Sequence, residues 1–157
     1  MSFMLSEETG GGIGNDVPQI DTTRNLAMYR ALTAAMDQGL VRSAHDCSDG
    51  GLAVAVAECC FGCDGATTIN LDPLMTDGVD EWGALFGESL GRILVTVKSN
   101  KAADFEASMG GHSISKIGTV DNKKTLQFTI GGETILKANL SKLLESWKGT
   151  LNMGGDH

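Results

Sequence analysis

Basic residues, proline and long apolar runs are all scarce in this chain of 157 residues. Twelve Lys and Arg residues stand against twenty Asp and Glu residues, and the formal net charge is −8. The densest basic cluster is only Lys123-Lys124, so no nucleic-acid partner is expected, because phosphate binding needs clustered cations. The sequence also lacks an apolar run of about 18 residues and a basic start followed by an apolar core. We therefore expect a cytoplasmic protein that does not enter membranes or a secretory route.

The cysteines do not form the framework of a small disulfide-stapled protein. There are four, at Cys47, Cys59, Cys60 and Cys63, and the last three crowd within five positions. Such crowding on one predicted helix favours reduced thiols in a core. The alternative is a zinc site, for which Cys60 and Cys63 supply half of a ligand pattern; His45 and Cys47 would have to fold back to supply the rest.

The spacing of apolar residues predicts an α/β fold of the α+β type, with helices packed on a mixed β-sheet. Residues 1–20, which contain the run GGGIG, are predicted to be a linker or arm, 21–150 a single domain, and 151–157 a tail. Helices are expected over 21–40, 50–62, 80–86, 100–110 and 139–149, the first capped by Asp21, Thr22 or Thr23 and the fourth by Ser99 or Asn100. Strands are expected over 41–46, 66–71, 91–98, 112–120, 125–130 and 133–140.

The stretch HDCSDGG, residues 45–51, places carboxylates and bare backbone at the start of the second helix. Gly50 and Gly51 leave free amides at the positive end of the helix dipole, which attracts anions. Asp46 and Asp49 would repel a bare phosphate. The carboxylates and the anion-attracting amides are compatible if a Mg²⁺ ion lies between the carboxylates and a phosphate. The alternative is that Ser48 or Asp49 only caps the helix, while the glycines allow close packing.

A second polar group stands in LFGESLGR, residues 85–92, before the clearest strand. Glu88, Ser89 and Arg92 either hydrogen-bond a ligand or form a solvated turn in which Arg92 pairs with Glu88. His45 lies beside Asp46, where it either acts as an acid or base or has only a structural role at the end of the strand. The sequence shows no Ser–His–Asp arrangement, and GGGIGN lacks the Lys-Ser/Thr ending of a phosphate-binding loop.

Four ordered motifs resemble one enzyme family. HDCSDGGLAVAVAE, LFGESLGRILVTV, IGTV and LLESWKG are similar to the C-terminal domain of the synthetase subunit of phosphoribosylformylglycinamidine synthases, over roughly residues 20–149. The broader superfamily includes aminoimidazole ribonucleotide synthetase, selenophosphate synthetase and a hydrogenase maturation factor. The resemblance implies the aminoimidazole ribonucleotide synthetase C-terminal-domain fold and a ligase of purine biosynthesis. This ligase uses ATP and Mg²⁺ to activate a formamide oxygen, which ammonia from glutamine then displaces.

The same resemblance implies partners and roles. Other domains of the enzyme, a glutaminase subunit and a small accessory subunit are the expected partners, and most ATP and metal ligands, with the catalytic histidine, belong to the other domains. Asp46 matches a metal-binding aspartate of the related first-half domain, which implies a Mg²⁺ ligand. Glu88 and Ser89 match its substrate-holding Glu-Ser-Gln segment, but Leu90 stands in place of the Gln, which implies a pseudo-site or structural nucleotide site.

The chain alone is therefore expected to be inactive, with nucleotide-side and substrate-side residues Asp46, Ser48, Asp49, Gly50, Gly51, Glu88, Ser89 and Arg92. The alternative is a stand-alone nucleotide-binding, ligand-binding or interaction module of the same superfamily, of the selenophosphate synthetase or hydrogenase maturation factor type. The sequence leaves open whether the chain forms a homodimer.

Overall fold

The structure is a computed structural model that describes residues 21–62, 65–75 and 79–149. The described chain divides into two compact units. The first contains residues up to Ala55 together with Leu85–Ser115, and the second contains Val56–Ala84 together with residues from Lys116 onward. The predicted arm at 1–20, the predicted tail at 151–157 and Cys63 lie outside the described residues. Within those residues, no helix has both the length and the apolar character needed to cross a membrane.

The first unit is built on helix α1 (Thr22–Asp37) and a two-stranded sheet of β1 (Val41–Asp46) and β3 (Ile93–Val97). The Asp21 carboxylate accepts the Arg24 amide at 2.9 Å, as a helix N-cap does. The two strands are antiparallel, and Asp46 at the end of β1 pairs with Ile93 at the start of β3. A 3₁₀ turn (Ser99–Lys101) and helix α4 (Ala102–Ser108) follow β3. On α1, Leu32 and Ala35 are buried and contribute to the core of this unit.

The second unit carries a four-stranded mixed sheet in the order β4-β2-β5-β6. Its strands are β2 (Ala66–Asn70), β4 (Gly118–Asp121), β5 (Thr125–Ile130) and β6 (Glu133–Asn139), with β2 parallel to β5. Gly131 and Gly132 join β5 to β6 with φ values of 58° and 82°, as a tight two-residue hairpin requires. The Asn139 side chain accepts the Ser141 amide at 2.9 Å at the start of helix α5 (Leu140–Gly149).

Two further helices, α2 (Gly51–Phe61) and α3 (Glu81–Phe86), have residues in both ranges, and a 3₁₀ turn spans Asp72–Leu74. The apolar run of α2 is buried at Leu52, Ala53, Ala55, Val56 and Cys60. This explains the near absence of polar residues from that stretch, since its side chains have little contact with water.

The predicted α+β fold class is confirmed, and three local predictions are wrong. The strands form two sheets rather than one. The strand predicted over 112–120 is formed only from Gly118 to Asp121, because the five residues of β2 offer no ladder partner to most of the preceding segment. Helix α4 has no side-chain cap from Ser99 or Asn100; these residues form the 3₁₀ turn before it.

Candidate functional site

The first unit contains a cavity of about 450 Å³ in which most of the polar residues singled out in the sequence meet. Its walls come from α1, from the connection between β1 and α2, and from the segment that leads into β3. The lining residues are Tyr29, Asp46, Cys47, Ser48, Asp49, Glu88, Leu90, Gly91, Arg92 and Ile93. Two motifs about forty residues apart in the sequence thus face one space.

The antiparallel pairing of β1 with β3 brings these motifs together. The ladder continues one residue past β1, where the Cys47 amide donates to the Arg92 carbonyl at 3.0 Å. The end of β1 and the entrance of β3 are therefore neighbours, and the loops beyond them open on the same side. The register alone places HDCSDGG beside GESLGR.

A hydrogen bond between the motifs fixes the double-glycine turn. The Gly50 amide donates to the Glu88 carboxylate at 3.0 Å, and the Gly51 amide donates to the Ser48 carbonyl at 3.0 Å. Gly50 and Gly51 have φ values of 77° and 63°, a region that residues with a Cβ atom rarely adopt. The sequence predicted that the Gly50 amide could bind an anion, and in the structure this amide binds the Glu88 carboxylate instead.

The Asp46 carboxylate is organised by its neighbours but stays open to solvent, with 78 % of its side chain exposed. The Ser48 hydroxyl donates to Asp46 Oδ2. This bond, followed by a backbone hydrogen bond at Asp46 and the charge of the nearby His45, holds the pKa of Asp46 below its ordinary value. Asp46 is thus an ionised, accessible oxygen donor at neutral pH.

The His45 ring is turned toward the backbone. Its Nδ1 lies 2.6 Å from the Asp46 carbonyl oxygen. A carbonyl only accepts, so Nδ1 carries the hydrogen in this bond. This contact favours the structural interpretation of His45 over the acid–base one.

Replacing Ser48 by Ala should raise the pKa of Asp46, because the hydroxyl that donates to the ionised carboxylate is its largest cause of depression. A carboxylate with a depressed folded pKa stabilises the folded state above its ordinary pKa, and this contribution disappears as the pH falls through the folded pKa. In Ser48→Ala the carboxylate should protonate at higher pH than in the parent. Carbon-detected NMR titration of the Asp46 carboxyl measures this, with Ser48→Thr as the hydroxyl-retaining control. An unchanged titration in Ser48→Ala would contradict the assignment.

Arg92 and Cys47 form the inner wall of the cavity. An Arg92 guanidinium nitrogen donates to the Gly87 carbonyl at 3.0 Å, which braces the loop in front of β3. Burial raises the pKa of the Cys47 thiol, against the smaller opposite effect of Arg92. A buried thiol with a raised pKa is a poor nucleophile, so Cys47 serves as packing in this wall.

Metal-ligating side chains do not converge into a cage within the described ranges. No group of three or more His, Cys, Asp or Glu side chains meets as metal ligands in residues 21–62, 65–75 and 79–149. Mg²⁺ is often held by only one or two carboxylates, with phosphate oxygens and waters completing the octahedron. The exposed Asp46 carboxylate could hold Mg²⁺ in this way. The predicted cysteine zinc site has no support among the described residues, where Cys47 and Cys60 are buried.

The cavity contains five of the eight predicted site residues. Asp46, Ser48, Asp49, Glu88 and Arg92 line it. Gly50 and Gly51 shape the turn behind it, and Ser89 is exposed outside the lining. The other five lining residues were not predicted as site residues: Tyr29, Cys47, Leu90, Gly91 and Ile93. Tyr29 carried no site signal in the sequence because its spacing marks it as a helix-face residue.

A second cavity, of about 430 Å³, lies on the sheet of the second unit and is lined by residues that include Thr68, Lys116, Asp121 and Lys123. Lys123 Nζ lies 2.9 Å from Asp121 Oδ2, and this contact lowers the pKa of Asp121. Lys123 and Asp121 thus pair with each other. The cavity of the first unit is the stronger candidate for a functional site, because the predicted site residues line it.

Comparison with known proteins agrees with the geometry. Residues 1–131 match the family described as AIR synthase related protein, C-terminal domain. The chain is 37 % identical over 144 residues to the phosphoribosylformylglycinamidine synthase subunit PurL of Limosilactobacillus fermentum, an alignment covering 92 % of this chain and 18 % of that protein. The chain thus spans less than a fifth of that relative.

Solved structures share the fold. Thermotoga maritima PurL complexed with FGAR superposes with a TM-score of 0.73 at 19 % identity, covering 86 % of this chain and 23 % of that one. The E. coli hydrogenase maturation protein HypE superposes with a TM-score of 0.57 at 20 % identity, and the match covers 87 % of this chain and 44 % of HypE. T. maritima PurL has also been solved with ATP, ADP and AMPPCP, and in an assembly called PurLQS. With most of its length matched, this chain belongs to the AIR synthase related protein family, as a C-terminal domain.

Proposed function

We propose that this chain is the C-terminal domain of the synthetase subunit of a phosphoribosylformylglycinamidine synthase, an ATP-dependent ligase that converts a formamide into an amidine in purine biosynthesis. The observation that carries the proposal is the 37 % identity to a PurL subunit across 92 % of the chain. The cavity supports it, because two of the four motifs of the resemblance, HDCSDGGLAVAVAE and LFGESLGRILVTV, meet there. Since the chain spans 18 % of that relative, the activity is proposed for the longer polypeptide.

Within that enzyme, the cavity contributes a wall of the nucleotide or substrate side. ATP, bound together with Mg²⁺, would supply the phosphoryl group that activates the formamide oxygen. Asp46 offers an ionised carboxylate to the metal, and Ser48 keeps it ionised and oriented. Glu88 positions the Gly50 turn through its hydrogen bond, and Arg92 faces the cavity as a cation toward phosphate oxygens.

The chain alone should be inactive, since Asp46 is at most one ligand of such a metal. Other domains of the polypeptide must supply the remaining metal ligands and the acid–base group. A glutaminase subunit and a small accessory subunit are the further partners, a proposal that the PurLQS assembly of T. maritima supports. We place the enzyme in the cytoplasm.

The test is an Asp46→Asn substitution in the full-length polypeptide, assayed for Mg²⁺-dependent and ATP-dependent amidine formation. Loss of the ionised oxygen should reduce the rate by about ten-fold or more, as removal of metal-site carboxylates and their supports does. Asp104→Asn, which alters an exposed aspartate on α4, is the matched control and should leave the rate unchanged.

Two outcomes would contradict the proposal. Unchanged activity in Asp46→Asn would reduce HDCSDGG to a structural turn. Robust ATP turnover by the 157-residue chain alone would contradict its assignment as an inactive part of a larger enzyme.

A second candidate, a ligand-binding or interaction module of the hydrogenase maturation type, has the HypE superposition in its favour. That likeness is weaker than the one to PurL, with TM-scores of 0.57 against 0.73. A full-length polypeptide that binds nucleotide but forms no amidine from the formamide substrate would favour this alternative.

A further inference from the structure

The four-stranded sheet of the second unit has one apolar face and one polar face. Ile69 of β2 and Phe128 of β5 are paired and buried on the apolar face. Side chains alternate along a strand, so Thr68 and Asn70 lie on the opposite face of β2. Thr119 of β4 pairs with Thr68 and shares that face with it. The second cavity lies on this polar face, at the edge strand β4.

The cavity has a lysine at each end of β4. Lys116 precedes the strand by two residues, Lys123 follows it by two residues, and both line the cavity. The Asn70 amide donates to the Ile117 carbonyl at 2.7 Å, which places the segment with Lys116 against the end of β2. Two ammonium groups therefore face the cavity against one carboxylate, that of Asp121. In a chain with a net charge of −8, this is a local positive surface, which attracts anions.

Asp121 does not neutralise the cavity, because both of its carboxylate oxygens are already engaged by one residue. Oδ1 accepts the Lys123 amide at 2.8 Å, and Oδ2 lies 2.9 Å from Lys123 Nζ. An ammonium group carries three hydrogens, so two of them remain for a ligand. Asp121 thus fixes the position of the Lys123 ammonium at the cavity.

Lys116 and Asn70 add donors that are not used. Within the part of the chain that the structure describes, the Lys116 side chain has no hydrogen-bond or ion-pair partner. The Asn70 Oδ1 atom accepts the Asp72 amide at 3.0 Å. Since this bond takes the acceptor end of the Asn70 side chain, its NH₂ group is left with two donors.

The number and kind of these donors indicate the ligand. Lys116, Lys123 and Asn70 supply donor groups from three separate positions on β2 and around β4. A phosphate group carries three strong acceptor oxygens, and lysine is a common phosphate-binding residue. The donors of the cavity therefore match a single phosphate group.

We propose that the cavity of the second unit binds a phosphate group, held by the ammonium groups of Lys116 and Lys123 and by the side-chain NH₂ of Asn70. The ligand is either inorganic phosphate or the phosphate of a small ester. This site goes beyond the proposed function, since its residues are separate from the cavity that contains Asp46.

The test measures how fast each lysine of the full-length polypeptide reacts with an amine-reactive succinimidyl ester. Peptide mass spectrometry gives the rate at each position, with inorganic phosphate or ribose 5-phosphate as the probe and potassium chloride to keep the ionic strength constant. Labelling of Lys116 and Lys123 should slow by about ten-fold when the probe is at ten times its dissociation constant, because only the unbound fraction reacts. Lys142, an exposed lysine on α5 in the same unit, is the matched control and should react at an unchanged rate.

Two variants test the assigned contacts. Asn70→Asp keeps an oxygen for the Asp72 amide but replaces the NH₂ donors by a negative charge, so the protection of Lys116 should be lost. Asn122→Asp makes the same charge change at an exposed turn residue outside the lining, and should leave the protection in place. Lys116→Gln removes an exposed cation without a partner among the described residues, and should raise at least about ten-fold the phosphate concentration that protects Lys123.

The outcomes separate specific binding from general screening. Saturable protection of Lys116 and Lys123 supports the site, and the probe that protects at the lower concentration identifies inorganic phosphate or an ester as the ligand. Equal slowing at Lys142, no slowing with either probe, or protection that persists in both Asn70→Asp and Lys116→Gln would overturn it. Amidine formation is measured separately, so a polypeptide that forms amidine without this protection would remove the phosphate site and leave the proposed function intact.

Discussion

Replacing Gly51 by Ala should destabilise the protein by about 2–4 kcal/mol, which combines the strain of a positive φ with the cost of overpacking. The φ of Gly51 is 63°. A Cβ atom there would lie 2.7 Å from the Phe86 carbonyl carbon and 2.8 Å from the Gly87 oxygen. Both are backbone atoms, so no side-chain rotation relieves the contact. The loop before β3 must move, and this loop carries Glu88 into the cavity.

Gly111→Ala is the matched control in the same unit. Gly111 has a φ of 85°, and nothing lies within 4 Å of the position of its Cβ. This substitution retains the backbone strain without the collision, and should cost only about 1 kcal/mol. Urea unfolding measures both variants. Equal shifts in the two midpoints would contradict the close approach of the Gly51 turn to residues 85–87.

Sequence reasoning located the double-glycine turn but not its reason. The Gly pair before an apolar run predicted a turn and close packing, and the structure has both. Glu88 lies 38 residues further on, and nothing local in HDCSDGG indicates that its carboxylate takes the Gly50 amide. That contact depends on the β1–β3 register, which is set by how the two strands bury their apolar residues.

The secondary structure was largely predictable because its signals are local. Asp21 caps α1 as expected. The sequences of β3 and β5 are rich in β-branched residues, which favour strands. The pairing of strands was not predictable. Consecutive strands β4 and β5 are separated in the sheet by β2, and only long-range packing decides that β2 is inserted between them.

The unpredicted part of the cavity shows the same limit. Tyr29 has no polar motif around it, and Leu90 is an apolar residue within the polar motif GESLGR. Their placement at one cavity follows from how α1 packs beside the β1–β3 pair. Apolar walls of a site look like core or surface residues in a sequence. The charged members were predictable because carboxylates beside glycines are unusual at the start of a buried helix.

Truncation of Phe128 should be the most damaging single change in the second unit. Its exposed fraction is 1 %, and it lies on β5, paired with Ile69 of β2 on one side and Leu136 of β6 on the other. Phe128→Ala should cost about 3–5 kcal/mol, from lost transfer free energy and the cavity that remains. Domains of this size are stable by only about 5–15 kcal/mol, so this single change should remove a large part of the free energy of unfolding.

Val120→Ala tests whether burial rather than strand position sets this cost. Val120 lies on the edge strand β4 with an exposed fraction of 54 %, so its loss should change stability by no more than about 0.5 kcal/mol. Urea midpoints give the two free energies, and hydrogen exchange at the Ile69 and Leu126 amides shows whether the loss falls on the β2–β5 pair. Slow exchange at these amides in Phe128→Ala would mean that the core around β2 and β5 does not depend on this ring. Rapid exchange there, with the β1–β3 amides still protected, would show that the four-stranded sheet is stabilised separately from the strands that carry the candidate site.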